Sequence, residues 1–199
     1  AQSNTMISLP DLLTERANHS SYLIGDHLYV SGGTGVTMIE AFDLKSYKWI
    51  KICDLVSERE NPLLYVKDKK YIYNFFGVKG KEFLDSVERV DLSSKVKRSE
   101  LLKYTPSNMN LKLSKAGFIE MKDNGILILG GTFKNAFNNN IFFHFNFDTN
   151  EFVEIKQDIQ DNVTFHESKL HKLKDEHYSN FNSQNQQFFK MTLQIEDDE

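Results

Sequence analysis

The chain has 199 residues, 16 of them Phe and 8 Tyr, and 40% are hydrophobic, which supplies a substantial core and excludes a disordered polymer. A formal net charge of −4, with Lys and Arg interspersed among Asp and Glu, argues against a phosphate-binding stripe, so nucleic acid is not an expected partner. The single cysteine, Cys53, excludes an intramolecular disulfide and a thiolate metal cage and fits a reducing, cytoplasmic compartment.

No apolar run reaches the roughly 20 residues that span a bilayer, and the start Ala1-Gln2-Ser3-Asn4 lacks the basic and apolar regions of a signal peptide. Neither membrane insertion nor secretion is expected, and the missing initiator Met suggests a processed or excised part of a longer polypeptide.

In chain order, residues 16–54 read as four short strands separated by turn residues: 19–24, the hairpin signal Gly25-Asp26, 27–31, Gly32-Gly33 and a short loop, 38–43, a polar turn at 44–46, and 47–52. A looser copy starts at Arg59, with 63–66, the turn Lys67-Asp68-Lys69, 70–76, Gly77, 86–91 and the polar turn Ser93-Ser94. A third copy reads 115–121, the turn Lys122-Asp123-Asn124-Gly125, 126–129, Gly130-Gly131, a long Asn-rich loop, 141–148, the turn Thr149-Asn150, and 151–155. Acidic residues mark the close of each third strand: Asp43 and Asp91 lie 48 positions apart, Asp91 and Asp148 lie 57 apart. The loop 133–140 and the stretch 104–113, which carries Pro106, account for the longer interval. After Asp161 the pattern fades, although 169–181 and 188–195 still look like strands, and 196–199 reads as a solvated acidic end.

The first unit resembles the kelch repeat through Arg16, His19-Ser20, Gly25, Leu28-Tyr29-Val30, Gly32-Gly33, Glu40, Phe42-Asp43, Tyr47 and Trp49. The third matches through Gly130-Gly131, Phe145, Asp148 and Phe152. The second departs from it, with Phe76-Gly77 for the Gly pair and no late aromatic to match Trp49. The spacing is near the repeat's period of about 50 residues. The resemblance implies an all-β, kelch-type β-propeller. Its blades are 9–55, a degenerate 57–103 and 111–156, with a partial fourth at 162–195, as part of a larger ring. Because twisted blades bury their faces only against neighbours, the remaining blades are expected from missing sequence or another chain. The late aromatic, Trp49, is expected to fill the wedge between blades.

The chemistry-bearing residues form no known catalytic pattern. His166, Glu167 and His171 cluster, but their His-Glu-x-x-x-His spacing is not that of zinc proteases. Cys53 lies at the end of a fourth strand, unlike the crosslinked cysteine of kelch-like copper-radical oxidases. The Glu-x-x-x-Asp-x-x-x-His pattern of iron-dependent kelch specifier proteins is absent, as are the sialidase box, a phosphate-cradling loop and a nucleophile elbow. No catalytic residue, metal or cofactor is expected.

In kelch propellers the loops between second and third strands and between blades emerge on one face, the family's usual partner-binding surface. Here these are 34–37, 79–84, 133–140, 57–61 and 104–110. The candidate partner-binding residues are Arg16, Thr34, Arg59, Phe133, Asn135, Phe137 and Asn138. Phe133 and Phe137 would be aromatic anchors in a polar loop or tuck onto the blade edge. Arg16 and Arg59, at equivalent positions, would pair an acidic ligand or hydrogen-bond neighbouring loops. The expected function is a non-catalytic scaffold or adaptor holding other proteins by its loop face. Settings of this kind are ubiquitin-ligase receptors and cytoskeletal or ciliary assemblies; the Asn-rich wording at Asn138-Asn139-Asn140 suggests an AT-rich protist genome and favours the latter. The alternatives are a propeller enzyme with a sugar- or metal-redox-active site and a purely structural assembly subunit.

Overall fold

The computed structural model describes residues 8–105, 111–122, 124–133 and 141–156, and the backbone of the strands Lys169–Lys172, His177–Asn182 and Gln187–Thr192. Every regular element among them is a β-strand. No helix among the described residues is long and apolar enough to cross a membrane.

The first sheet is the antiparallel meander β1 (Ser20–Ile24), β2 (His27–Ser31), β3 (Met38–Asp43) and β4 (Lys48–Asp54). Burial alternates along Ser-Ser-Tyr-Leu-Ile of β1, the period-2 signature of a strand with one face covered. The sequence starts the fourth strand at Tyr47; instead Tyr47 sits in the turn at φ 58° and donates its N–H to Asp43 O at 2.8 Å. The strand then runs on to Asp54, across a register shift between Ile39 and Glu40.

The second sheet begins with β5 (Leu63–Lys67) and β6 (Tyr71–Phe75). After β6 the chain makes the two-residue strands β7 (Val78–Lys79) and β8 (Glu82–Phe83), then completes the sheet with β9 (Val87–Asp91) and β10 (Ser99–Leu102). The sequence places no strand at β10, because Ser-Glu-Leu-Leu carries no β-branched or aromatic residue. In the third sheet β11 (Leu113–Ser114) precedes β12 (Gly117–Glu120), β13 (Gly125–Leu129), β14 (Thr132–Phe133), β15 (Ile141–Asn146) and β16 (Glu151–Lys156). Strands β12, β13, β15 and β16 form the meander; β11 and β14 pair separately, Leu113 opposite Phe133. The strands β17 (Lys169–Lys172), β18 (His177–Asn182) and β19 (Gln187–Thr192) form a further antiparallel sheet.

The registers align the three meanders residue by residue. His27 pairs with Asp43, Tyr71 with Asp91 and Gly125 with Asn146. The side chains at the second position of each pair are equivalent in role. Asp43, Asp91 and Asn146 accept the backbone N–H two residues on, from Lys45, Ser93 and Asp148, each at 2.8 Å. This Asx-type turn closes the third strand. In the third unit the marker is therefore Asn146 and not Asp148, because an amide oxygen accepts that bond as well as a carboxylate does.

The second sheet is covered on both faces. Leu64, Val66, Ile72 and Val90 bury against Tyr29, Ile39, Ala41 and Cys53 of the first sheet. Leu63, Tyr65, Tyr73, Phe75 and Val87 bury against Ile126, Ile128, Phe143, Phe145 and Phe152 of the third. Each of the Leu, Ile, Val and Phe side chains among these contributes about 1.5–3 kcal/mol on leaving water. The first strands of the sheets converge: Tyr22 of β1, Tyr65 of β5 and Phe118 of β12 meet with ring centroids 5.4, 5.2 and 5.9 Å apart. Tyr22 also donates its hydroxyl to Glu120 Oε1 at 3.0 Å, joining the first sheet to the third.

Candidate partner-binding face

At the end where β2, β6 and β13 finish, adjacent sheets are joined by two backbone hydrogen bonds that repeat from one junction to the next. The N–H of Gly33 donates to Arg59 O (2.9 Å), and at the next junction that of Gly77 donates to Leu113 O (2.8 Å). The N–H of Asn61 donates to Asn18 O (2.6 Å), and that of Lys115 donates in turn to Asn61 O (3.1 Å). Asn18, Asn61 and Lys115 share one left-handed conformation, at φ 57°, 47° and 57°. The second Gly of each pair has a steric reason. A Cβ on Gly33 (φ +118°) would meet Ala17 O at 2.9 Å, and one on Gly77 (φ +101°) would meet Glu60 O at 2.8 Å. The first position of the pair is also left-handed, yet Phe76 occupies it in the second sheet at φ 56°, its ring buried beside Phe75 and Phe152.

The same alignment sets Arg16, Arg59 and Leu113 in one position. The side chains of Arg16 and Glu40 are wholly buried and paired, as are those of Arg59 and Glu88. Arg16 Nη1 donates to Gly32 O (2.9 Å) and Met38 O (2.7 Å); Arg59 Nη1 donates to Phe76 O (2.8 Å) and Ser86 O (3.2 Å). Glu88 also accepts the N–H of Val56 (2.7 Å) and Ser57 (3.2 Å) and the hydroxyl of Ser99 (2.6 Å). Burial pulls the Arg59 guanidinium below its ordinary value, and Glu88 pushes it back up. In the third sheet the two positions hold Leu113 and Phe143, both buried in one hydrophobic cluster, so apolar side chains stand where the other sheets have the ion pair.

Of the two roles expected for the arginines, the observed contacts are those of the internal one: both guanidinium groups are buried and bond neighbouring loops, strand ends and a glutamate, with Arg59 Nε alone left without a hydrogen-bond partner. Thr34 is exposed; its N–H donates to Ala17 O at 3.0 Å, and its hydroxyl accepts Asn18 Nδ2 at 3.2 Å. Asn18 Nδ2 also reaches Glu60 Oε2 at 3.2 Å, which ties the first two loops together. The loop expected at 79–84 contains the β7–β8 hairpin, whose N–H of Val78 bonds Glu60 O at 2.9 Å and whose tip at Lys79, Gly80 and Lys81 is exposed. Phe133 belongs to β14 and is not a free loop residue, because its backbone pairs with Leu113. Asn135, Phe137 and Asn138 lie outside the described residues, as do the side chains of His166, Glu167 and His171.

Trp49 is half-buried against Phe42, with centroids 5.1 Å apart, and donates Nε1–H to Pro10 O at 2.9 Å. Its counterpart Phe152 lies between the second and third sheets against Phe75, Phe76 and Tyr104. The Cys53 thiol is buried, which pushes its pKa up to about 11, so it stays protonated at neutral pH and is a poor nucleophile. Sequence reasoning missed Asn18, Asn61 and Lys115; the signal was available as a polar residue two positions before each first strand.

These features define an all-β chain of repeated four-stranded antiparallel sheets, stacked face to face through a repeated backbone junction. No family model matches the chain, and no curated protein does. It is similar in fold to the solved structure of YjhT, with a TM-score of 0.68 at 12% identity, covering 92% of this chain and 67% of that one. At that identity the likeness concerns the fold alone.

Proposed function

We propose that this chain is a kelch-type β-propeller segment acting as a non-catalytic scaffold that holds partner proteins on the loop face. The observation that carries the reading is the repeated junction. The same two backbone bonds recur between successive sheets, and the first strands converge on Tyr22, Tyr65 and Phe118, as sheets arranged about one axis require. Such an arrangement brings Thr34 and the β7–β8 tip to one end. There the backbone is tied by hydrogen bonds while the side chains stay exposed, a rigid platform that lowers the ordering cost of binding. The carboxylates of Glu40 and Glu88 are committed to arginines and backbone N–H groups, which suits structure more than proton transfer.

The test is affinity capture from the native source with the wild-type chain and a Thr34→Arg/Lys81→Glu variant of unchanged melting temperature. Proteins retained by the wild type and lost by the variant support the reading. A partner set indifferent to both substitutions removes the loop face as the binding surface.

A further inference from the structure

The second sheet differs from its neighbours at the end opposite the loops. The connection from the third to the fourth strand has four residues in the first sheet, 44–47, and four in the third, 147–150, but seven in the second, 92–98. The extra length carries Lys95, Lys97 and Arg98. It overhangs a cavity of about 340 Å³ lined by Arg89, Asp91, Ser94, Val96, Arg98 and Glu100. Arg89 of the lining and Lys70 both lie over the Tyr71 ring, at 5.2 and 4.9 Å from its centroid. The lining itself is balanced, Arg89 and Arg98 against Asp91 and Glu100; the excess of positive charge comes from Lys95 and Lys97 on the turn and from Lys70. Asp91 turns back onto the N–H and hydroxyl of Ser93, at 2.8 and 2.6 Å, and Glu100 stands opposite Arg89 in the register of β9 and β10. The chain as a whole is acidic at −4, so this concentration of positive charge is local.

We propose that this cavity and its overhanging turn are a docking site for an acidic peptide segment of a partner protein. Carboxylates on the segment meet the exposed Arg98, whose planar guanidinium offers paired donors, and Lys95 on the same turn. Val96, 61% exposed on the cavity wall, receives an apolar side chain next to them. A peptide fits better than a polyphosphate, because the exposed Val96 can take an apolar side chain, which a phosphate chain lacks. The site stands apart from the loop face, since β9 starts beside Phe76 at that face and ends beside Lys70, where the N–H of Leu92 bonds Lys70 O at 2.8 Å. It can therefore hold or fail independently of the function proposed above.

Fluorescence anisotropy on the full chain, with a fluorescein-labelled peptide of repeated Glu-Glu-Leu, tests the proposal. The wild type is expected to bind, with affinity falling as salt rises. Lys95→Glu/Arg98→Glu, both at exposed positions, should weaken binding by about tenfold or more through charge reversal, and Arg98→Ala should weaken it less. Lys45→Glu/Lys48→Glu, on the equivalent turn of the first sheet and at the first residue of β4, should leave the dissociation constant within about twofold, since those charges lie outside the cavity. The proposal is overturned by no binding, by equal loss in both charge-reversed variants, or by equal binding of a Lys-Lys-Leu peptide. Displacement by single-stranded DNA at lower concentration than by unlabelled peptide also overturns it. Melting temperatures of the variants close to wild type keep misfolding out of the comparison.

Discussion

At the scale of single residues, the two buried ion pairs are not equally exposed to damage. Removing one partner of a buried pair leaves an uncompensated charge and typically costs about 3–5 kcal/mol. Glu40 accepts from Arg16 and from the N–H of Leu13, whereas Glu88 accepts from Arg59, from the N–H of Val56 and Ser57, and from the Ser99 hydroxyl. Glu88→Ala should therefore destabilise the chain more than Glu40→Ala, by the added cost of the donors left behind. Urea unfolding of both variants checks the order. Asn74 points the other way. It aligns with Val30 and Ile128 in the other sheets, is fully buried, and neither polar atom of its side chain has a hydrogen-bond partner. An unsatisfied buried polar group costs about 1–3 kcal/mol, so Asn74→Val should stabilise the protein and raise its melting temperature by several degrees. A lowered melting temperature would show that Asn74 holds a partner essential to the fold.

At the scale of elements, the junction bonds make the second Gly of each pair the sensitive position. Gly77 and Gly35 both have positive φ, at +101° and +70°, but a Cβ on Gly35 meets nothing within 4 Å while one on Gly77 runs into Glu60 O at 2.8 Å and Arg59 Cβ at 3.2 Å. Gly35→Ala should cost only the backbone strain, about 1–2 kcal/mol. Gly77→Ala should cost distinctly more, because the backbone it meets belongs to the junction itself; equal unfolding midpoints for the two variants would count against that role. Elements of this kind are legible in the sequence to the extent that they follow local rules. Strands β2 and β13, rich in Leu, Val and Ile and bounded by Gly, lie close to where alternation and turn residues place them. Strand β10 is hidden by Glu and Leu, and β11 and β14 are too short to show a period. The arginines are visible as a repeated type, but not their partners, which lie 24 and 29 positions away and meet them only through register. Asn146 is masked in the sequence because Asp148 nearby looks like the better match to Asp43.

At the scale of the whole molecule, the tyrosines couple both cores to alkaline pH. Burial raises the phenol pKa of Tyr29, between the first and second sheets, and of Tyr65 and Tyr73, between the second and third. Tyr22 is likewise raised by burial, then by Glu120, and Tyr104 is pushed up to about 12, chiefly by burial. A group whose folded pKa exceeds its unfolded value contributes stability that is complete below the unfolded value and is lost as pH rises toward the folded one. For phenols the loss begins near pH 10, and for the Cys53 thiol, raised to about 11, it begins nearer pH 9. On the acid side Asp26, Asp43 and Asp91 are lowered, chiefly by hydrogen bonds from Lys45, Ser46 and Ser93; Asp26 is exposed and Asp43 and Asp91 half-buried, all within solvent-screened turns. Stability should therefore fall steeply above pH 10. Because phenols in both cores take part, fluorescence and circular dichroism should lose signal at the same alkaline midpoint. Tyr65→Phe/Tyr73→Phe should make the melting temperature fall less steeply between pH 10 and 11, by removing two protons from the linkage. An unchanged slope would mean that these two phenols do not titrate with unfolding and that the alkaline limb has another origin.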